Sequence, residues 1–220
     1  MKPAPFGYAR AATLDDVFSL LAEHGDDAKI LAGGQSLMAT LNMRLSAPEV
    51  LIDINRIDGL AGIDDTGDVI RIGAMTRHID IEKSALVATH APLIAAAMEH
   101  IAHPAIRNRG TFGGSIAFAD PAAELPACAV ALEATMHVAG KDGLRDIAAE
   151  DFFKGLYETA LGDGEILTAV SVPKIANDWK SGFMELARRH GDYAIIGLCA
   201  HVQLDGPTFG EARLVFFNAG

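Results

Sequence analysis

The hydrophobic positions near the start of the chain follow a helical period. Thr13 precedes a run of apolar residues at helical spacing, and Gly25 follows that run; the apolar residues are Val17, Phe18, Leu20 and Leu21. A threonine before such a run is a favoured N-cap, and a glycine after it is a favoured terminator. We therefore predict an amphipathic helix that Thr13 caps and Gly25 ends.

The pattern then alternates between extended and helical segments. The apolar run "AKILAGG" predicts a short buried strand that leads into two glycines, and "QSLMATLNMRLSAP" predicts a helix that Pro48 ends. The β-branched segment "EVLIDINRI" predicts a second strand. Residues 1–58 are therefore expected to form a small α/β unit.

Residues 59–175 mix the same two periods in a longer unit. The expected elements, in chain order, are a strand ("GDVIRIGAMT"), a helix that begins at Thr76 ("RHIDIEKSALVATH"), an alanine-rich helix ("APLIAAAMEHIAH") that "PAIRNRG" breaks, a helix that passes into a strand ("LPACAVALEATMHVAG"), a connector ("LRDIAAEDFFKG") and a strand ("EILTAVSVPK").

Residues 176–220 predict a small third region of strands. After a linker at 173–179, "KSGFMELARR" and "YAIIGLCAHVQLD" are strand-like, Gly206-Pro207 predicts a hairpin turn, and "EARLVFFNAG" is the return strand. So short a meander would leave an apolar face and an open edge uncovered. We expect either that the chain is truncated here or that a partner covers this face.

Composition limits the classes of function. The 220 residues are 50% hydrophobic and 21% charged, which is typical of a globular protein. The formal net charge of −11 argues against nucleic-acid binding, because neutralising phosphates requires an excess of lysine and arginine. An acidic surface is compatible with an enzyme or an enzyme subunit.

Cysteine, histidine and hydropathy patterns indicate neither a metal nor a membrane. Cys128 and Cys199 are far apart with no C-x-x-C spacing, so we expect no iron–sulfur cluster on this chain and interpret both as buried thiols. The eight histidines show no H-E-x-x-H or clustered spacing, so we expect no metal site. With no signal peptide and no spanning segment, the expected compartment is the cytoplasm.

Two glycine-rich segments carry the candidate chemistry. In each, Gly-Gly is followed by small polar residues: Gly33 and Gly34 precede Gln35 and Ser36, and Gly113 and Gly114 precede Ser115 and follow Thr111. Successive backbone N–H groups in such turns form anion-binding nests, and a following helix adds its dipole. One such pair of glycines is more simply an ordinary turn, but two matched loops favour a shared diphosphate.

Known nucleotide fingerprints are absent from the sequence. There is no G-x-G-x-x-G after a strand and no G-x-x-x-x-G-K-[ST]. A diphosphate-containing cofactor bound without either motif remains the favoured ligand. A nucleotide-sugar is an alternative for the same two loops.

Four motifs in order resemble a known family. They are "ILAGGQSLMATLNMRLSAPEVLIDINRI", "IRIGAMTRH", "HPAIRNRGTFGGSIAFADPAAELPACAVALEA" and "GEILTAVSVP". They are similar to the FAD-binding medium subunit of molybdenum hydroxylases, which includes the aerobic carbon monoxide dehydrogenase medium subunit and the xanthine dehydrogenase FAD domain. The resemblance implies an α+β fold with an FAD-binding domain of the vanillyl-alcohol-oxidase (PCMH) type. Its two α/β subdomains would be 1–58 and 59–175, followed by a small C-terminal α+β domain at 176–220 that looks incomplete.

The same resemblance implies FAD as the cofactor and a redox relay as the function. Partners would be a molybdopterin-binding large subunit and a 2Fe-2S small subunit, in a dimer of heterotrimers. No catalytic side chain is expected on this chain, because the flavin carries the chemistry. An FAD-free scaffold or assembly subunit is the alternative. The substrate and the electron acceptor stay open.

Site residues follow from the resemblance position by position. It implies two diphosphate segments, with Phe112 as a backbone donor, an acidic contact to the ribose or adenine side, apolar contacts to the isoalloxazine and an aromatic side chain near it. The implied residues are Ala32, Gly33, Gly34, Gln35 and Ser36; Thr111, Phe112, Gly113, Gly114 and Ser115; Glu124; Ile101 and Leu167; and Tyr193.

Several of these positions have simpler interpretations. Ile101 is equally a helix-core residue, either Ile166 or Leu167 must face the ring, and Tyr193 is alternatively a sheet-surface residue. Glu124 is alternatively a carboxylate at a helix N-terminus, with Asp120-Pro121 turning the chain and starting that helix.

Three further positions bear on the acceptor and the partner. Met184 stands where xanthine dehydrogenase-type relatives have lysine, which puts NAD as the acceptor in doubt. Arg107 and Arg109 either neutralise the diphosphate or face the iron–sulfur subunit.

Overall fold

The computed structural model describes residues 2–219; Met1 and Gly220, the outermost residues of the first and third predicted regions, lie outside the described residues. The first unit is a three-stranded parallel sheet with two helices. Its strand order is β1–β3–β2, and its elements are β1 (Gly7–Arg10), α1 (Leu14–His24), β2 (Ala28–Leu31), α2 (Leu37–Asn42) and β3 (Val50–Asp53).

The first helix is confirmed as predicted. The Thr13 side chain accepts from the Asp16 amide at 3.1 Å, and the Asp16 carboxylate accepts from the Thr13 amide at 2.9 Å, which completes a capping box. Gly25 ends the helix with φ +52°. Helix α2 is shorter than predicted, since it ends at Asn42, before Arg44 takes a left-handed φ of 59°.

The second unit is a five-stranded antiparallel sheet in the order β4–β5–β10–β6–β7, with short helices and a two-stranded hairpin. In chain order its elements are β4 (Ile63–Asp65), β5 (Val69–Gly73), α3 (His78–Glu82), α4 (Ala85–His90), α5 (Pro92–Met98), α6 (Pro104–Arg107), α7 (Phe112–Phe118), α8 (Glu124–Ala131), β6 (Thr135–Gly140), β7 (Gly143–Ala148), α9 (Ala149–Phe152), β8 (Phe153–Gly155), β9 (Glu158–Thr159) and β10 (Ile166–Pro173).

The main hydrophobic core lies between this sheet and its helices. Ile70 and Ile72 of β5 and Met136 of β6 are fully buried with Leu93 of α5 and Leu125 of α8. At about 25 cal/mol per Å² of buried apolar surface, side chains of this size each contribute roughly 1.5–3 kcal/mol. This packing fixes α7 and α8, which border the site described below.

Two predictions for this unit are wrong. The helix expected from Thr76 begins at His78 and is broken in two, because the Ser84 side chain caps α4 by accepting from the Val87 amide at 3.3 Å. The Thr76 hydroxyl instead donates to the Gly62 carbonyl at 2.9 Å. The expected connector "LRDIAAEDFFKG" forms β7, α9 and β8, because Gly143 at φ +123° closes a hairpin between β6 and β7.

The third unit is a three-stranded antiparallel sheet of β11 (Trp179–Ala187), β12 (Ala194–Asp205) and β13 (Thr208–Phe217). The predicted hairpin at Gly206-Pro207 is confirmed, with Gly206 at φ +58°. One face packs on the main core through Cys199 and Phe217. The other face carries exposed large apolar side chains, among them Met184, Leu186, Leu214 and Phe216.

No helix within residues 2–219 is long and apolar enough to cross a membrane.

Candidate functional site

A cleft of about 1070 Å³ lies where the two glycine segments meet. Its lining includes Gly33–Ser36, which follow β2, and Gly113–Ser115, which begin α7. Residues of β10 and of the loop between β11 and β12 line it as well. The volume is at the upper end of small-molecule sites, roughly 300–1,000 Å³, and is large enough for a dinucleotide.

The first glycine segment is an open turn with free backbone donors. Gly34 has φ +73°, which a residue with a Cβ rarely adopts. Within residues 2–219, the amides of Gly33, Gly34, Gln35 and Ser36 donate no hydrogen bond to the protein. Four successive N–H groups at the start of a helix are therefore available to an anion.

The second glycine segment is the first turn of helix α7 and not a loop. The Thr111 hydroxyl caps this helix by accepting from the Gly114 amide at 3.2 Å. The Gly113 amide donates to the Ala74 carbonyl at 2.8 Å, and the Ser115 amide donates to the Thr111 carbonyl at 3.1 Å. These amides therefore already have acceptors within the protein, and the contact of this segment with a diphosphate stays a prediction.

Phe112 is held by its amide and by the packing of its side chain. Its amide donates to the Thr76 carbonyl at 2.9 Å, and its side chain is fully buried in the main core. The Phe112 side chain is therefore a packing residue, and a contact of its backbone with a cofactor stays a prediction. Thr111, Gly113, Gly114 and Ser115 do line the cleft.

The two segments are brought together by close backbone packing. A Cβ on Gly33 would overlap the carbonyl oxygen of Arg109 and lie 2.9 Å from the Cα of Gly110. A Cβ on Gly113 would lie 2.7 Å from the Cα of Ala74, so the second segment also packs closely against the residue that follows β5. Glycine at these two positions allows the backbones to approach.

Apolar side chains form one wall of the cleft. Ile101 and Leu167 are buried and line it, and so does Ile166. The sequence left open which residue of the pair 166–167 faces the site. A β-bulge between Leu167 and Ala169 interrupts the regular alternation of β10, and both residues of the pair reach the cleft.

Glu124 is the first residue of α8 and lies buried at the cleft wall. Burial raises its pKa to about 7, and the negative charges of Glu185 and Asp120 add to the effect. The helix begins only at Glu124, so the prediction that Asp120-Pro121 starts it is wrong. The Asp120 carboxylate instead accepts from the Ala122 amide at 2.9 Å and holds a turn before the helix.

The two arginines around the second segment have different surroundings. Arg107 is buried; its Nε lies 2.8 Å from Glu82 Oε2, and its Nη1 donates to the carbonyls of Ile101 at 2.8 Å and Ala102 at 3.0 Å. It therefore fixes the 101–102 segment and does not face a diphosphate. Arg109 has an exposed side chain beside a smaller cavity.

Sequence reasoning missed Tyr157 and His78, which also line the cleft. Tyr157 lies between β8 and β9 at a left-handed φ of 58°, with its ring centroid 5.2 Å from that of Phe118. Tyr193, which was predicted, lines the same cleft with a largely exposed side chain. Burial raises the pKa of both tyrosines, with Asp120 adding to it.

His78 is a buried neutral imidazole. Its Nε2 lies 3.0 Å from the Thr111 carbonyl, and its Nδ1 has no partner within residues 2–219. Burial lowers its pKa to about 4, so it carries no charge at neutral pH. The motif "GAMTRH" alone gave no signal of this role, because the Thr111 carbonyl that binds His78 is 33 residues away.

Comparison with known proteins identifies the family. The FAD binding domain in molybdopterin dehydrogenase matches residues 4–175. The chain is 44% identical over 221 residues to the 6-hydroxypseudooxynicotine dehydrogenase complex subunit alpha of Paenarthrobacter nicotinovorans, covering 100% of this chain and 75% of that protein. It is 38% identical over 218 residues to the carbon monoxide dehydrogenase medium chain of Hydrogenophaga pseudoflava, covering 99% of this chain and 76% of that one.

Solved structures agree with this assignment. The carbon monoxide dehydrogenase structure from Hydrogenophaga pseudoflava superposes with a TM-score of 0.97 at 39% identity, covering 99% of this chain and 76% of that chain. Quinoline 2-oxidoreductase from Pseudomonas putida 86 gives a TM-score of 0.93 at 39% identity, covering 99% and 75%. The resemblance found in the sequence is thereby confirmed: the chain belongs to the family of FAD-binding domains of molybdopterin dehydrogenases, and FAD is its cofactor.

Proposed function

We propose that this chain is the flavoprotein subunit of a three-subunit molybdenum hydroxylase. In this role it takes electrons from the iron–sulfur clusters of a partner and delivers them to an external acceptor. The single observation that carries the proposal is the cleft in which the free amides of Gly33–Ser36 face the same space as Glu124 and an apolar wall.

The residues present are suited to FAD. A diphosphate needs several donors and close backbone approach, and the 33–36 turn offers both, with Thr111 and Ser115 across the cleft. We assign Glu124 to the ribose or adenine side, since a buried carboxyl group gains from a hydroxyl or amino donor. When bound, FAD supplies redox chemistry that accepts and releases electrons.

The chain's own contribution is binding and orientation. Ile101 and Leu167 form an apolar surface for the isoalloxazine, and Tyr193 lies at the rim of the same cleft. With FAD bound, this buried wall would exclude water from the isoalloxazine that packs on it. Among the residues that line the cleft we assign no acid or base catalyst, because electron transfer requires none on this subunit.

We propose that the two larger units are the PCMH-type subdomains, 1–58 and 59–175, and that 176–220 belongs to the C-terminal domain. The family match ends at residue 175, which supports the second boundary. The chain spans about three quarters of the length of these relatives.

The names of the relatives support the proposal that this chain assembles with partner subunits. They are called a medium chain, a medium subunit and a complex subunit. We propose a molybdopterin-binding large subunit and a 2Fe-2S small subunit as the partners, assembled as a cytoplasmic dimer of heterotrimers. The substrate oxidised by the complex is chosen in the large subunit.

The test is electron transfer between separately prepared subunits. The 2Fe-2S subunit is reduced, freed from excess reductant and mixed anaerobically with the FAD-loaded chain. We expect the visible flavin absorbance to bleach at a rate that depends on protein concentration, and the FAD-free chain to leave the clusters reduced. A flavin that stays oxidised beside reduced clusters would overturn the relay, and a chain that takes up no FAD would favour a scaffold role.

A further inference from the structure

A chain of side-chain hydrogen bonds joins the two cleft segments along a second cavity. This cavity, of about 440 Å³, is lined by Gly33–Gln35 together with Asn55, Arg77 and Arg109. Asn55 and Arg77 do not line the larger cleft. They are therefore placed to support the glycine turn without touching what the cleft holds.

Asn55 holds the first segment. It follows β3, and its Nδ2 donates to the Ala32 carbonyl at 2.8 Å and to the Leu31 carbonyl at 3.3 Å. Asp53 Oδ1 accepts from the Asn55 amide at 2.8 Å and from its Nδ2 at 2.7 Å, which orients the side-chain amide. Its Oδ1 is thereby turned towards Arg77.

The backbone around Arg77 is bound to the second segment. An isolated bridge pairs Arg77 with Thr111, the His78 amide donates to the Gly110 carbonyl at 3.0 Å, and the Phe112 amide donates to the Thr76 carbonyl at 2.9 Å. The backbone of Arg77 is thus fixed to the start of α7. Its side chain points back to the first unit.

The Arg77 guanidinium connects both sides. Nη2 donates to Asn55 Oδ1 at 2.6 Å, and Nη1 donates to the Arg109 carbonyl. That carbonyl is the one against which Gly33 packs. A hydrogen bond from a charged donor is stronger than one between neutral groups, so this bridge is suited to set the spacing of the two segments.

We propose that Asn55 and Arg77 are positioning residues for FAD. Their bridge holds the free amides of Gly33–Ser36 at the distance from Thr111–Ser115 that a diphosphate requires. The inference rests on the proposed placement of the diphosphate in the larger cleft. It concerns residues that the bound cofactor does not touch.

The test is a double-mutant cycle on the full chain, read by FAD affinity. The variants are Asn55→Ala, Arg77→Met and the double variant, with Arg56→Met as the control because Arg56 is an exposed neighbour. We expect each single change to weaken FAD binding about 10- to 100-fold. The double variant is expected to be no more than about threefold weaker than the worse single variant, since both remove the same bridge. Arg56→Met stays within about twofold of wild type.

A second readout separates positioning from general stability. The melting temperature of the FAD-free chain should fall by only a few degrees in Asn55→Ala, while Arg77→Lys, which keeps one donor, should recover part of the affinity. Unchanged FAD affinity in Asn55→Ala would overturn the inference. So would a double variant in which the losses of FAD binding free energy of the two single variants simply add. If Arg77→Met does not fold, Asn55→Ala and Arg77→Lys decide it. Failure of the wild-type chain to bind FAD would instead contradict the proposed function.

Discussion

Gly33 and Arg109 are in backbone contact beside the cleft, so that a Cβ on Gly33 would overlap the Arg109 carbonyl oxygen. The contact brings a turn with free amides against the segment that leads into α7. Gly34 is required for a different reason, its φ of +73°. Adjacent glycines thus serve two needs, close approach and backbone conformation.

The first prediction concerns that contact. Gly33→Ala should lower the free energy of unfolding by about 1–3 kcal/mol, as overpacking does, and should weaken FAD binding at least about tenfold. Urea unfolding and FAD titration measure the two effects. Gly182→Ala is the matched control, because nothing lies within 4 Å of a Cβ there. Equal FAD affinity in both variants would contradict the role of the contact.

A second prediction concerns Gly114 at the start of α7. A Cβ there would lie 2.6 Å from Thr111 Oγ1 and 3.8 Å from the Ala32 Cβ, so a branched side chain displaces the cap and narrows the gap between the segments. Gly114→Val should abolish FAD binding with a loss of about 1–2 kcal/mol in stability. Absorbance of the purified protein measures bound flavin, and a stoichiometric flavin content would refute the placement.

The buried carboxyl group of Glu124 makes stability depend on pH. Its pKa is raised from 4.5 to about 7 in the folded chain, so the folded state holds a proton that the unfolded state has lost. The loss of folding stability that comes from burying the ionised carboxylate is absent at low pH. It grows as pH rises from about 4.5 to about 7 and is constant above that.

Glu124→Gln removes this titration. The FAD-free variant should match wild type near pH 4 and be more stable near pH 8, by about 3 kcal/mol. Urea unfolding across that pH range measures the difference between the two proteins. A constant difference at all pH values would show that Glu124 titrates normally.

Glu124→Ala should weaken FAD binding more than Glu124→Gln, which keeps an acceptor.

Replacing Arg107 or Arg109 with methionine should affect the stability of the protein very differently. Arg107→Met leaves Glu82 and the carbonyls of Ile101 and Ala102 without their donor, so we expect a loss of about 3 kcal/mol in unfolding free energy and weaker FAD binding. Arg109→Met removes only an exposed side chain and should change stability by less than about 0.5 kcal/mol. Similar losses in both variants would contradict the buried role of Arg107.

Local patterns were sufficient where the determinants are close in sequence. The capping residue Thr13 is three positions from Asp16, and the Gly206-Pro207 turn connects adjacent strands. Both were predicted from the residues alone. The pairing of the two glycine segments in one cleft followed from their matched residues, although they are about eighty positions apart.

The wrong predictions arose where a residue's hydrogen-bond partners or neighbours are far away in the sequence. The amides of Phe112 and Gly113 bind carbonyls of Thr76 and Ala74, so a segment written as a loop became a helix with its donors satisfied. Tyr157 reaches the cleft only because β8 and β9 form a hairpin, which the pattern of the "LRDIAAEDFFKG" segment did not indicate. Asn55 lies within one of the four motifs, but no role was assigned to it, because its role depends on where Arg77 lies.

The most direct measurement is a crystal structure of the chain with FAD bound. We expect both phosphorus atoms in the larger cleft, with phosphate oxygens accepting from the backbone amides of the 33–36 turn and with Ser115 on the opposite side. A diphosphate held elsewhere, with those four amides bound only to water, would contradict it.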